Sequence, residues 1–255
     1  MELIRNRFKA AVKEGRPQIG LWNSIAGTAV TDIIAGGGFD WVLIDTEHAV
    51  IEPGEVQVAL QILNGYPEVA ALVRPLSNDA PLIKRHLDMG AQTLLVPFVQ
   101  TGAEAEAAAL ACAYPPAGIR GVAGMTRASR YGRITDYARR ANEEICLLVQ
   151  VETASALDHL DEIALTPGVD GVFIGPSDLA ASLGHPGNPG HAEVQEAIDH
   201  TLDRLKTLGV PSGILALDPE KARAYLERGV GFVAVGLDLL MVAQAVDRLR
   251  SAFPR

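Results

Sequence analysis

The sequence predicts a single (β/α)₈ (TIM) barrel over residues 1–255, an α/β fold, and three observations carry that expectation. Short apolar runs alternate with amphipathic stretches from one end of the chain to the other, eight times in all. The runs are near-continuously hydrophobic, as parallel strands covered on both faces must be. A length of 255 residues also fits the roughly 250 residues typical of a closed barrel.

The runs, read as strands, are Gln18–Asn23, Trp41–Asp45, Val69–Arg74, Thr93–Pro97, Ile145–Glu152, Gly171–Gly175, Pro211–Leu215 and Phe232–Gly236. Between them, Pro53–Leu63 opens on a proline suited to a helix start, and Pro81–Met89 stops at Gly90. Thr101–Tyr114, rich in Ala and Glu, ends before the Pro115-Pro116 breaker. Glu193–Leu208 and Pro219–Arg228 stop at Gly209 and Gly229, natural helix ends. Residues Pro115–Arg133, rich in Gly and Arg, are expected to form a loop over the barrel mouth. No composition break or Gly/Ser-rich linker suggests a second domain.

A hydrophobic content of 48% supplies a large core, and a net charge of −9 argues against nucleic acid or an anionic membrane as partner. No window approaches the roughly 18 apolar residues that span a bilayer. The N-terminus lacks a signal-peptide core. Cys112 and Cys146 have no motif spacing and fall in apolar segments. They read as core thiols in a cytoplasmic protein.

Barrel chemistry sits at the C-terminal ends of the strands. There the chain places Trp22-Asn23, Asp45-Thr-Glu-His48, Arg74-Pro75, Pro97-Phe98, Gln150 with Glu152, Gly175-Pro-Ser-Asp178, Leu215, and Gly236-Leu-Asp238. Two carboxylates, Glu152 and Asp178, each follow an apolar run, where acids are seldom found without a positive partner. Oxygen donors of this kind suit Mg²⁺ or Mn²⁺, with Co²⁺ also admissible. Each residue has a plainer reading. His48 could be a surface histidine, Arg74 a salt-bridging arginine, Glu152 a helix-start carboxylate before a helical Thr153–Leu160, and Asp178 the N-cap of Leu179–Leu183. Their convergence on one face favours a site. Asp238 reads as a helix cap, and His86, His159, His185, His191 and His200 read as structural or solvated.

A metal held by two carboxylates keeps positions open for a chelating 2-oxo acid, whose carbonyl it would polarise. Proton removal, with His48 as base, and charge stabilisation by Arg74 would make a carbon nucleophile. A Schiff-base route needs a lysine at a strand end. Lys9, Lys13, Lys84, Lys206 and Lys221 all lie in helices or near the N-terminus.

The segments Phe39-Asp-Trp-Val-Leu-Ile-Asp-Thr-Glu-His48, Val73-Arg-Pro75, Val149-Gln-Val-Glu-Thr153 and Phe173-Ile-Gly-Pro-Ser-Asp-Leu179 resemble the metal-dependent pyruvate aldolases of the HpcH/HpaI family. The resemblance runs over nearly the whole chain and includes Gly118-Ile-Arg-Gly121. It implies reversible cleavage of 4-hydroxy-2-oxo acids to an aldehyde and pyruvate, or a related 2-oxo acid such as hydroxypyruvate. It also implies a homohexamer whose last helix packs on a neighbouring barrel. Carried onto this chain, Glu152 and Asp178 would bind the metal, His48 would accept the proton, and Arg74 would stabilise the transition state. Gln150 and the amides of Ser177 and Asp178 would contact the pyruvate part. Asp88 matches an acid that reaches across the subunit interface to raise the histidine's basicity, though Asp45 could do the same. The family commonly has Gly where this chain has Thr46, a β-branched residue that narrows backbone freedom beside His48. Arg127, Arg130 and Arg133 would be contacts for a distal carboxylate. The alternative on the same metal site is an acyl-CoA lyase like the citrate lyase β-subunit relatives, which the acidic surface does not favour.

Overall fold

The computed structural model describes residues Met1–Pro254. Its order is α1 (Arg7–Lys13), β1 (Gln18–Asn23), α2 (Thr28–Ala35), β2 (Trp41–Asp45), α3 (Pro53–Leu63), β3 (Ala70–Arg74), α4 (Ala80–Asp88), β4 (Thr93–Val96) and α5 (Gly102–Cys112). It continues with α6 (Tyr137–Glu144), β5 (Cys146–Val151), α7 (Ala154–Asp158), α8 (Leu160–Ala164), β6 (Gly171–Ile174), α9 (Pro176–Ser182) and α10 (Ala192–Leu208). The last elements are β7 (Ser212–Leu215), α11 (Pro219–Arg228), β8 (Phe232–Leu237) and α12 (Asp238–Ser251). The strands form a closed barrel in sequence order, and β1 pairs in parallel with both β2 and β8.

Two apolar layers hold the barrel. The larger lies between strands and helices and includes Val42, Ile44, Leu94, Val149 and Ile174. The inner one fills the barrel with Trp22, Trp41, Leu43, Leu72, Phe173 and Phe232, closed from below by Phe8 of α1. Phe8 meets Trp41 and Phe232 edge-on, with centroids 6.2 and 5.6 Å away. Such pairs add about 0.5–1.5 kcal/mol beyond their buried area. Large rings fit because small neighbours face them. A Cβ on Gly20 would stand 2.0 Å from the Trp41 ring, and one on Gly213 2.1 Å from Phe232.

Both cysteines are buried and free. Burial pushes the Cys112 thiol up to about 12, so it stays protonated, as core packing requires. The helix expected over Thr153–Leu160 is two short ones, α7 and α8, meeting at His159.

The segment Pro115–Arg133 does not cover the mouth. It follows α5, a helix returning from the top of β4, and leads towards the start of β5, so its place is the N-terminal face. Its contacts agree. Arg127 donates to Met89 O at 2.7 Å, Arg120 pairs with Asp88 at 2.8 Å, and the Met1 amino group donates to Arg133 O at 3.0 Å. Arg127, Arg130 and Arg133 therefore lie away from the mouth of their own barrel, and the expectation that they meet a distal carboxylate there is overturned.

Helix α12 behaves unlike the other long helices. Only Asp238 is buried along it, while Leu239, Met241, Val242, Val246 and Leu249 are exposed.

Candidate active site

The C-terminal ends of β1, β2, β3, β5 and β6 surround a cavity of about 230 Å³ lined by Trp22, Asp45, His48, Arg74, Gln150 and Asp178, among others. Each group arrives there because a strand ends and a βα turn begins. Alternation along β2 and its turn puts Asp45 and Glu47 on one side. His48 follows on the exposed loop, its side chain 66% accessible.

Arg74, at the end of β3, is the best-fixed group. Its Nε and Nη2 donate to the two Asp45 oxygens at 2.9 and 2.8 Å, a bidentate fork. Its Nη1 lies 2.9 Å from Glu47 Oε2, and the guanidinium carbon sits 5.1 Å from the centre of the Trp22 ring. Burial works to raise the Asp45 carboxyl, but hydrogen bonds and charge from Arg74 outweigh it and hold it below the usual carboxylate range. Asp45 is thus committed to Arg74. It reaches His48 only at the backbone amide, at 3.5 Å. The carboxylate beside the imidazole is instead Glu47, with Oε2 3.8 Å from Nε2. Thr46 takes its place without strain on the turn, its hydroxyl donating to Arg74 O at 2.7 Å. The side chain that sets it apart from glycine supplies a bond that ties the end of β2 to β3.

Glu152 is 3% exposed. Its Oε1 accepts the Phe98 amide at 2.8 Å, and its Oε2 accepts Gln150 Nε2 at 2.5 Å. Phe98 makes that bond from a left-handed backbone, φ 55°, a conformation costly for an aromatic residue and typical of functional turns. Gly175 completes the cradle: a Cβ there would stand 2.6 Å from Glu152 Oε2 and 3.0 Å from Gln150 Nε2. Burial pushes the Glu152 carboxyl up to about 7; its two hydrogen bonds oppose that, while the charges of Asp178 and Glu47 add to it. Glu47 is raised too, by burial first, against the pull of Arg74.

Asp178 is exposed at the rim, in the first turn of α9. The helix starts at Pro176 with Gly175 as its N-cap, so Asp178 is not the N-cap of a later helix. That plainer reading is corrected. Pro176 lacks an N–H, which leaves the amides of Ser177 and Asp178 as free donors at the helix start.

The structure therefore brings together His48, Arg74, Gln150, Glu152, Ser177 and Asp178. It does not bring Asp88 to them within one chain. Asp88 ends α4 on the opposite face, bound to the buried Arg120 at 2.8 Å. Asp238 is not the cap of the last helix but its first residue, after the N-cap Leu237; its carboxylate gathers Asn23 Nδ2 and the amides of Ser24 and Ile25, at 2.9 to 3.0 Å, and so fixes the first βα loop. Sequence reasoning missed two members. Glu47 was detectable from its spacing to Asp45, whereas the amide of Phe98 depends on a backbone angle that no residue type announces.

The site fits a divalent cation on its own terms. Three carboxylates, Glu47, Glu152 and Asp178, feel one another's charge. A buried Gln150 Oε1 lacks a partner, and the donors are hard oxygens.

The sequence profile of the HpcH/HpaI aldolase/citrate lyase family matches residues 18–245. The chain belongs to this family. A hydroxypyruvate/pyruvate aldolase of Sagittula stellata is 56% identical over 245 residues, covering 96% of each chain. A 4-hydroxy-2-oxo-heptane-1,7-dioate aldolase of Escherichia coli is 49% identical over 98% of this chain and 95% of its own. Among solved structures, an HpcH/HpaI family protein from Burkholderia cenocepacia superposes with a TM-score of 0.93 at 37% identity, covering 97% of this chain and 98% of that one. The HpcH/HpaI membership accounts for the strand-end motifs in their order.

Proposed function

We propose that the protein is a divalent-metal-dependent pyruvate aldolase, a carbon–carbon lyase that reversibly cleaves 4-hydroxy-2-oxo acids to an aldehyde and pyruvate or hydroxypyruvate. The observation that carries this reading is the buried Glu152 carboxylate, cradled against Gly175 beside Asp178 and Glu47, a place that calls for a cation. Full-length similarity to proteins named as aldolases supports it over the acyl-CoA lyase alternative.

Glu152 and Asp178 would hold Mg²⁺, Mn²⁺ or Co²⁺, and when bound the ion supplies Lewis-acid polarisation of the 2-oxo carbonyl. The protein's own groups do the rest. Gln150 and the amides of Ser177 and Asp178 orient the carboxylate end of the 2-oxo acid. His48, directly or through water, takes the proton of the C4 hydroxyl; the C3–C4 bond breaks, the aldehyde leaves, and its electron pair becomes the enolate of the 2-oxo acid. Protonation at C3 gives pyruvate. Arg74 keeps N–H groups beyond those used on Asp45 and Glu47, and these face the oxygen that gains charge. Glu47, 3.8 Å from the imidazole, positions His48 within the chain; a neighbouring copy's Asp88 would act on it across an interface. The exposed apolar side of α12 supports a homohexamer with exchanged last helices. Among the described residues no helix is long and apolar enough to cross a membrane, in keeping with action in the cytoplasm on small molecules.

Exchange of pyruvate methyl protons with deuterium, followed by NMR, tests this reading. Exchange should require both the metal and His48. Equal rates in chelated and metal-loaded enzyme would reject the metal role, and normal exchange in His48→Ala would place the base elsewhere.

A further inference from the structure

The nine-residue connection between α9 and α10, with the first turn of α10, assembles a second group of metal-ligating side chains, including two histidines that the sequence reading took as structural or solvated. His185, His191 and Glu193 present ligand atoms that all lie within 4.8 Å of one another. The two imidazoles stack with centroids 3.5 Å apart and planes 17° from parallel. His185 Nε2 meets Glu193 Oε2 at 2.7 Å, and His191 Nδ1 takes the Glu193 amide in a long 3.3 Å bond.

The backbone under these side chains is fixed. The His185 amide donates to Ala180 O at 2.7 Å and its carbonyl accepts from Asn188 at 3.0 Å. The His191 amide donates to Asn188 O at 3.1 Å, its carbonyl accepts from Gln195 at 3.0 Å, and Gln195 Nε2 ties back to Pro189 O at 2.7 Å. Pro186 and Pro189 stiffen the turn further. Ligands on an ordered backbone lose little freedom when an ion arrives.

We infer that this turn is a second metal site, distinct from the catalytic one, that takes a borderline divalent ion such as Zn²⁺, Ni²⁺ or Cu²⁺ through two imidazoles and one carboxylate. Two nitrogens and one oxygen are the donor set such ions favour, whereas an all-carboxylate site selects Mg²⁺ or Mn²⁺. The ion would replace the proton shared by His185 Nε2 and Glu193 Oε2. It would also take the His191 lone pair now spent on the long amide contact. The rings, both half-buried at the surface, must turn out of their stack to aim both lone pairs at one point. Solvent fills the fourth position of a tetrahedral ion. A bound ion would clamp the end of α9, the helix that carries Asp178, to the start of α10.

The test counts Zn²⁺ by equilibrium dialysis in a Glu152→Gln background with excess Mg²⁺, so that the catalytic acids cannot supply the site. One Zn²⁺ per chain is expected. Adding His185→Ala or His191→Asn should weaken it more than tenfold; asparagine keeps the helix cap while removing the ring. Cu²⁺ bound to the same background should show nitrogen hyperfine splitting in its EPR spectrum, lost in both histidine variants. Mg²⁺-dependent pyruvate exchange should be unchanged by His185→Ala in the otherwise natural chain. No Zn²⁺ bound, or Zn²⁺ bound equally without the imidazoles, overturns the inference. Neither outcome touches the aldolase reading, which the exchange assay decides separately.

Discussion

Replacing Arg74 with lysine separates a positioned guanidinium from a mere positive charge. Arg74 spends two nitrogens on the buried Asp45, at 2.9 and 2.8 Å, and pairs a third with the half-buried Glu47 at 2.9 Å. Lysine brings one ammonium, which can serve one acid well and the other poorly. Asp45, 2% exposed, would keep one oxygen without its charged donor. Charge-assisted hydrogen bonds contribute about 1.5–3 kcal/mol each. Losing two and recovering part of one should cost roughly 2–4 kcal/mol of stability, or a fall in Tm on the order of 5–15 °C. The catalytic loss is separate, because the remaining N–H groups no longer face the oxygen that gains charge. Removal of such a donor costs about 10²–10³ in turnover. Pyruvate release at saturating Mn²⁺, measured well below the lowered Tm, reads this directly. A folded Arg74→Lys enzyme with kcat within about threefold of the parent would refute the role given to the fork.

Other consequences follow from the same contacts. Gly175→Ala puts a methyl group 2.6 Å from Glu152 Oε2, so Mn²⁺ affinity by calorimetry should fall about 10–100-fold; unchanged affinity would mean that Glu152 does not hold the ion. Because Glu152 is raised from 4.5 to about 7, the metal-free protein binds more protons folded than unfolded across that window, and its stability should fall as pH rises from 4.5 towards 7. Metal binding needs the ionised acid, so affinity should rise by up to tenfold per pH unit below about 7 and level off above it; a flat profile would contradict the assignment. Val246→Glu with Leu249→Glu places charges on the exposed side of α12, and light scattering should then report a smaller assembly; the parent's mass would show that this face is not an interface.

Much of this was legible in the chain. The strands were readable because both faces of each are covered, which leaves continuous apolar runs such as Trp41–Ile44 that end on polar groups. Those ends then named Arg74, Glu152 and Asp178. What failed depended on connectivity or on conformation. Pro115–Arg133 looked like a mouth loop by its glycines and arginines, yet a segment leading from a helix to the next strand must lie at the other end of the barrel. Asp178 looked like a cap because Pro176 was not counted as the helix start. Asp45 was offered as a partner of His48 within the chain, but the fork of Arg74 claims it, and Glu47 stands beside the imidazole instead. The pairing of His185 with His191 depends on a turn that folds back over six positions, and spacing along the chain does not reveal such a contact.

The central claim is that Glu152 and Asp178 share one divalent ion at the barrel mouth. Anomalous diffraction from crystals soaked with Mn²⁺ and pyruvate measures this most directly. A manganese peak within coordination distance of both carboxylates, with pyruvate on its open side, is the predicted result. A mouth without manganese, its two acids turned apart, would contradict the account.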